Sequence, residues 1–147
     1  MYQLYIRQHP LLPKKSVLQF LEHIQMKNYR FAEQGVLQDW LPYAFALVSG
    51  GWSVTILEAA SKGVPVVRLI PANTFFLDPF ADFEYPLQPV ATPQDIRQQL
   101  LRIDSILEKD PMVFKHIAEK VLAAYFTKPD EKNMEIFVRG VQQRGQD

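Results

Sequence analysis

The chain has 147 residues, of which 48% are hydrophobic and 22% charged, a balance typical of one folded globular domain and not of a disordered chain. Sixteen basic residues equal sixteen acidic ones, so net charge gives no reason to expect nucleic acid or an anionic membrane as partner. The absence of cysteine excludes disulfides, thiolate metal sites and thiol catalysis, and no apolar stretch is long enough to predict a transmembrane segment.

The first third of the chain carries alternating strand and helix patterns. Residues 2–8 alternate apolar and polar side chains, which predicts a strand. Ser16 and Gln19 have the spacing of a helix capping box, and apolar residues then recur at helical spacing. A weaker strand over residues 28–33 and a short helix over residues 36–43 follow. These patterns predict the order strand, helix, strand, helix.

The centre of the chain, residues 45–67, has the pattern of a strand, a glycine turn, a helix and a second strand. An apolar run ends in the turn Ser49-Gly50-Gly51. The helical pattern after it stops at Gly63, and a second apolar run begins at the next residue. This arrangement predicts a βαβ unit with a right-handed crossover. Its helix is expected to pack through Ile56, Ala59, Ala60 and Gly63.

The segment after the second strand is rich in both prolines and aromatic residues. Five prolines lie within residues 71–93 and five aromatic residues within residues 75–85. So many helix breakers exclude a helix, and the aromatic content is too high for a disordered linker. The pattern predicts a long packed loop at the mouth of the sheet, with a short strand near residues 88–90.

The C-terminal part predicts three helices. Thr92 before Pro93 is a helix start, Asp110 before Pro111 repeats this signal, and a third helix is expected over residues 130–143. The buried stripes are predicted to be Ile96, Leu100, Ile103 and Leu107, then Phe114, Ile117, Val121, Leu122 and Tyr125, then Met134, Phe137, Val138 and Val141. The whole order predicts an α/β fold: a Rossmann-like three-layer parallel sheet of about four to five strands with a helical C-terminal end, forming one domain over residues 1–147.

Several polar residues lie between the end of the central strand and the start of its helix. In open α/β sheets, ligands bind at this edge of the sheet. A helix N-terminus offers unpaired N–H groups and a partial positive charge, which suit a phosphate. The residues that would bind it are Ser49, Gly50, Gly51, Ser53 and Thr55. The alternative is structural, because turns between strand and helix often need glycine for their conformation.

Two further residues are candidates for ligand contacts. Glu58, one turn into the helix, is placed to accept hydrogen bonds from a ribose diol; alternatively Thr55 and Glu58 form a capping box. His9 ends the first predicted strand, and Pro10 fixes the chain after it. His9 is placed to donate to a phosphate oxygen or to act on a leaving group, unless it is an ordinary surface histidine. No spacing of histidine and acidic residues predicts a metal site.

Three motifs together resemble the C-terminal, donor-binding half of GT-B fold glycosyltransferases. They are R-Q-H-P at residues 7–10, L-P-Y-A at 41–44 and S-G-G-W-S-V-T-I-L-E-A-A-S-K-G-V-P-V-V at 49–67. The similarity is greatest to bacterial capsule and surface-polysaccharide transferases, in which two halves clamp a nucleotide-sugar. The resemblance implies that Glu58 contacts the ribose and that His9 faces the donor phosphates as the catalytic residue. It also implies that the phosphate-binding residues named above, at the end of the central strand and the start of its helix, hold those phosphates.

The resemblance also implies the partners. Relatives that use cytidine nucleotides bind the monophosphate with the histidine and a serine/threonine pair, and relatives that use uridine nucleotides rely on the same glutamate. The donor is therefore expected to be a UDP-sugar or a CMP-sugar, with no other cofactor. The N-terminal acceptor half is missing, so we expect a fragment of a longer transferase or a truncated relative, cytoplasmic or peripheral at the inner membrane as part of a larger enzyme. Trp52, beside the glycine turn, is expected to fill part of the site or to stack on a base.

Two other functions remain open from the sequence. One is a domain like those of the related sugar-nucleotide epimerases. The other is a non-catalytic interaction module that docks a partner through the aromatic loop, residues 75–85. Exposed aromatic surface favours the interaction module, whereas a polar cleft converging on Gly51 and Glu58 favours the nucleotide-sugar site.

Overall fold

The structure, a computed structural model, describes residues 3–7, 13–23, 25–50, 53–70 and 78–126. It is a mixed α/β protein with parallel strand pairing, as predicted. The chain divides into two compact units, residues 1–39 and 40–147. The described strands, each three or four residues long, form two separate two-stranded sheets and not one continuous sheet.

The first unit contains β1 (Leu4–Ile6), α1 (Lys14–His23) and β2 (Tyr29–Phe31). The two predicted strands are confirmed, and they pair in parallel. The predicted capping box is wrong, because α1 begins at Lys14 and Ser16 already lies within its first turn. The Pro13 carbonyl accepts the Ser16 N–H at 3.0 Å, and the helix begins three residues earlier than a cap at Ser16 predicts.

The predicted helix over residues 36–43 is divided into two parts. Helix α2 (Leu37–Trp40) is a single turn, and a 3-10 turn over Leu41–Tyr43 follows it. Pro42 explains the change, because proline lacks the N–H that would continue an α-helical hydrogen-bond ladder. Val36, the first residue of the predicted helix, lies before α2 and is 56% exposed.

The second unit contains the predicted βαβ sequence: β3 (Leu47–Gly50), α3 (Val54–Ser61) and β4 (Val66–Leu69). The strands are parallel, and Ser49 lies opposite Arg68 in the register. The sequence predicted a turn at Ser49 and Gly50. In the structure, these two residues are the last residues of strand β3. The predicted stripe of α3 is confirmed: Ile56, Ala59 and Ala60 are buried, together with Leu57.

Helix α3 ends at Ser61, and Gly63 follows its C-cap residue Lys62, close to the end that the sequence predicted. The Val64 N–H donates to the Ala59 carbonyl at 3.1 Å and the Gly63 N–H to the Ala60 carbonyl at 2.9 Å, which is the hydrogen-bond pattern of a Schellman motif. Gly63 has φ +75°, a left-handed conformation that residues with a Cβ rarely adopt.

Replacing Gly63 with alanine is expected to lower the free energy of unfolding by about 1–2 kcal/mol, because alanine is strained in the left-handed region. Steric clash contributes little, since a Cβ at this position would meet its nearest atom, the Phe114 carbonyl oxygen, at 3.6 Å. Urea unfolding followed by circular dichroism measures the loss. Gly63→Asn is the control and should lose less, because asparagine tolerates this conformation better. Equal losses for the two variants would contradict the conformational explanation.

Residues 78–90 are the described part of the segment rich in prolines and aromatic residues. They pack along the edge of β4 that does not pair with β3. Val90 forms a single parallel bridge with Leu69, where the sequence predicted a short strand. The Ile70 N–H donates to the Val90 carbonyl at 2.7 Å, and the Val90 N–H donates to the Arg68 carbonyl at 2.9 Å. Phe80, Tyr85 and Leu87 are buried in the core of the second unit. The prediction of a packed loop is confirmed for residues 78–90, and residues 71–77 lie outside the described part.

Two long helices complete the described chain. Helix α4 (Pro93–Lys109) begins as predicted, with Thr92 and Asp95 forming a capping box. Helix α5 (Val113–Tyr125) packs against α3 through Phe114, Ile117, Ala118 and Val121. Leu122 and Tyr125 were predicted to be buried but are 44% and 43% exposed, because the last turn of α5 extends beyond the buried part of the helix. The third predicted helix, residues 130–143, lies outside the described residues. Among those residues, no helix is long and apolar enough to cross a membrane.

Candidate functional site

The start of α3 carries two hydroxyl groups in contact. Ser53 is the N-cap residue, and its Oγ accepts the Thr55 N–H at 3.3 Å. The same Oγ lies 2.7 Å from Thr55 Oγ1. The predicted capping box between Thr55 and Glu58 is therefore wrong: Ser53 caps the helix, and Thr55 already lies in its first turn. Both hydroxyls are part-buried and lie beside the backbone N–H groups that open the helix.

Glu58 lies one turn farther along α3, on the side opposite the buried stripe. Its side is shared with Val54, four residues earlier, which is 59% exposed. Glu58 itself is half-buried, and no hydrogen bond or ion pair joins its carboxylate to another described residue. Since capping does not occupy this carboxylate, it is chemically free to accept hydrogen bonds from a ligand.

Gly50 ends β3 at the same edge. Its φ is not in the left-handed region, and among the described residues a Cβ built on it would meet only the Leu69 carbonyl oxygen, at 3.8 Å. This distance is an ordinary van der Waals contact, so neither conformation nor crowding requires glycine there. The structural alternative offered for the glycine turn therefore does not account for Gly50. The remaining reason for a glycine at position 50 is that it gives a ligand access to the backbone.

Three of the residues named from the sequence, His9, Gly51 and Trp52, lie outside the described residues. The described part of the site therefore consists of the end of β3 and the first turns of α3, which place Ser49, Gly50, Ser53, Thr55 and Glu58 within ten residues of one βαβ unit. The proposed meeting of His9 with these residues stays a prediction.

A buried charge cluster that the sequence analysis missed lies at the end of β4. Arg68 is only 2% exposed, and its Nη1 contacts both carboxylate oxygens of Asp78. Nη2 donates to the Leu87 carbonyl, whereas Nε has no hydrogen-bond partner among the described residues. The Asp78 carboxylate also accepts the Phe80 N–H at 3.0 Å. We call these residues, Arg68 and Asp78 with Phe80 and Tyr85, the arginine cluster.

Two aromatic rings complete the arginine cluster. Phe80 and Tyr85 stack with their ring centroids 4.2 Å apart, and the Arg68 guanidinium carbon lies 5.1 Å and 4.9 Å from those centroids. The Tyr85 hydroxyl accepts the Val66 N–H at 2.6 Å, which satisfies a donor on the edge of β4. Burial raises the pKa of the Tyr85 phenol well above its usual range, so it remains a neutral hydroxyl.

One signal in the sequence could have revealed this cluster. Arg68 interrupts an otherwise apolar run, V-P-V-V-R-L-I at residues 64–70. An arginine in a buried strand needs an anionic partner, because an unpaired charge in the protein interior is very costly. The nearest acidic residue that follows it in the chain is Asp78.

The same contacts bear on the interaction-module alternative. Phe80 and Tyr85 belong to the loop expected to dock a partner, but they are 2% and 6% exposed. Phe83 is half-buried, with its ring centroid 6.1 Å from that of Tyr125. These rings therefore stabilise the protein itself, while Phe75 and Phe76 lie outside the described residues.

Within the part of the chain that the structure describes, no group of three or more metal-ligating side chains is placed to hold a metal ion. Comparison with protein-family models, with curated proteins and with solved structures finds no match to this chain.

Proposed function

We propose that this chain binds the nucleotide part of a nucleotide-sugar and acts as the C-terminal, donor-binding half of a glycosyltransferase that makes surface or capsular polysaccharide in the cytoplasm. The observation that carries the proposal is the start of α3. The hydroxyls of Ser53 and Thr55 lie 2.7 Å apart at the helix N-terminus, and the carboxylate of Glu58, which no described residue binds, follows one turn later.

The helix start suits the donor phosphates. The first N–H groups of a helix have no partner within it, and the helix dipole places about half a positive charge at this end. The Ser53 and Thr55 hydroxyls share one hydrogen bond, which leaves one of their two protons to donate to a phosphate oxygen. At the end of β3, Gly50 lets a phosphate approach the backbone without meeting a side chain. Together these features support phosphate binding between β3 and α3.

The position of Glu58 suits the ribose. A carboxylate accepts a hydrogen bond on each oxygen, so one side chain can hold both hydroxyls of a ribose diol. Such recognition of ribose by an acidic residue recurs in nucleotide-binding α/β folds. Glu58 lies a single helical turn from the proposed phosphate position, which matches the order of groups in a nucleotide.

The role of His9 belongs to the same proposal. We infer that His9 acts on the donor phosphates and assists departure of the leaving group. Glycosyl transfer also needs an acceptor held against the donor, and much of the rate enhancement comes from that positioning. The chain alone is therefore expected to bind the donor nucleotide but to turn it over slowly.

The first experiment measures thermal unfolding of the chain with UDP, CMP and CDP. A ligand that binds only the folded state raises the melting temperature by mass action, so at least one nucleotide should raise it. Glu58→Ala is expected to weaken that nucleotide by roughly tenfold to a hundredfold, since hydrogen bonds to a charged group contribute about 1.5–3 kcal/mol. Isothermal titration calorimetry quantifies the loss.

The matched control is Glu119→Ala, which removes the same charge from an exposed position on α5. It should leave nucleotide affinity unchanged. The proposal is overturned if no nucleotide shifts the melting temperature at millimolar concentration, or if both glutamate variants bind equally well. A preference for UDP or CMP would identify the donor class.

A further inference from the structure

The arginine cluster lies at the same edge of the sheet as the proposed nucleotide site. Arg68 is the third of the four residues of β4, and its partner in the parallel register is Ser49. Because β3 and β4 run in the same direction, their carboxyl ends share one edge. The end of β4 is thus next to the strand end that leads into α3.

The guanidinium of Arg68 is only partly used by its neighbours. Asp78 places both oxygens against a single nitrogen, Nη1, whereas a guanidinium usually holds an oxyanion with a fork of two parallel N–H groups. Nη2 donates to a backbone carbonyl, and no described residue accepts from the Nε–H, although Arg68 is almost fully buried. Buried donors without a partner are rare in folded proteins, and one often marks the place of a missing water or ion.

The two members of the ion pair differ in their access to solvent. The Arg68 side chain is 3% exposed and the Asp78 side chain 24% exposed. Asp78 is therefore the member able to move out into water. If another anion takes its place, the buried guanidinium keeps a counter-charge, so the exchange avoids the large cost of an unpaired buried charge.

We propose that Arg68 is an oxyanion-binding residue for the phosphate groups of the ligand, and that Asp78 occupies its place in the ligand-free protein. This inference rests on the proposed nucleotide site and adds a residue to it. The ligand phosphate binds Nη1 of Arg68 in the place of the Asp78 carboxylate, which turns to solvent. The stacked rings of Phe80 and Tyr85 hold the guanidinium in place during the exchange.

The test is Asp78→Asn, which removes the competing charge with little change of size. Its dissociation constants for inorganic pyrophosphate and for UDP or CMP are expected to fall by about threefold or more, while its melting temperature falls because Arg68 loses its counter-ion. A role of Asp78 in stability alone predicts the lower melting temperature without the gain in affinity. The matched control is Asp82→Asn, an exposed aspartate of the same segment, which should change neither quantity.

A second measurement uses the wild-type chain, in case Asp78→Asn does not fold. The Arg68 Nε–H resonance, assigned by its loss in Arg68→Lys, should shift progressively as pyrophosphate is added. An unmoved resonance, or an Asp78→Asn protein whose dissociation constants are unchanged or higher, overturns the inference. If pyrophosphate behaves as expected but neither UDP nor CMP binds wild type or variant, the nucleotide proposal fails and the anion site stands.

Discussion

Replacing Phe80 with alanine is expected to lower the free energy of unfolding by about 3–5 kcal/mol, the usual range for removing a buried aromatic ring. Phe80 is 2% exposed and stacks on Tyr85 with a centroid distance of 4.2 Å. Its loss removes apolar contact area and leaves a cavity beside the Arg68 guanidinium, where the surrounding groups can relax only in part. Urea unfolding followed by circular dichroism measures the change.

Two variants control this experiment. Phe80→Leu keeps part of the buried volume and should lose less than the alanine variant. Phe126→Ala removes the same ring from a position that is 39% exposed, and its loss should be smaller still. A change of less than about 1 kcal/mol in Phe80→Ala would contradict the placement of this ring in the core, because such small values are typical of surface substitutions.

Replacing Arg68 with methionine is expected to cost about 3 kcal/mol. Removing one member of a buried ion pair typically costs about 3–5 kcal/mol, and the lower end applies here because Asp78 is partly exposed and can be hydrated again. The substitution also removes the donor to the Leu87 carbonyl and the contact with two aromatic rings. The free energy of unfolding of the purified variant gives the cost.

The control for Arg68 is Arg102→Met, which removes the same charge from an exposed position on α4 and should stay within about 0.5 kcal/mol of wild type. The double variant Arg68→Met with Asp78→Asn should recover part of the loss, since the carboxylate is no longer left without its partner. If the two single losses simply add, the ion pair contributes no coupling and this explanation of the buried arginine is wrong.

The boundaries of the elements show how far local sequence signals reach. Gly63 and Thr92 were located correctly, because a left-handed helix end and a capped helix start depend on neighbouring residues alone. Ser16 was misjudged as a cap, and the capping alternative offered for Thr55 is also wrong. In each case a group two or three residues earlier, the Pro13 carbonyl or the Ser53 hydroxyl, opens the helix. Competing caps so close together differ too little in local preference for the sequence to choose between them.

The candidate site was partly predictable for the same reason. Ser53, Thr55 and Glu58 belong to one helix start, so their relative placement follows from helical geometry once α3 is recognised. What the sequence did not reveal is that Glu58 is released from capping. That depends on which hydroxyl begins the helix.

The sequence by itself determined the kinds of element, their order, the buried stripe of α3 and the first three residues of the α5 stripe, because these depend on periodicity and on contacts within a few residues. Only the tertiary structure decided which distant groups meet. Arg68 contacts Asp78 ten residues away, and Tyr85 satisfies Val66 across nineteen residues. These contacts form because a buried charge and a buried backbone N–H at the edge of a strand are costly without a partner. The spacing of residues along the chain does not specify which distant residue becomes that partner.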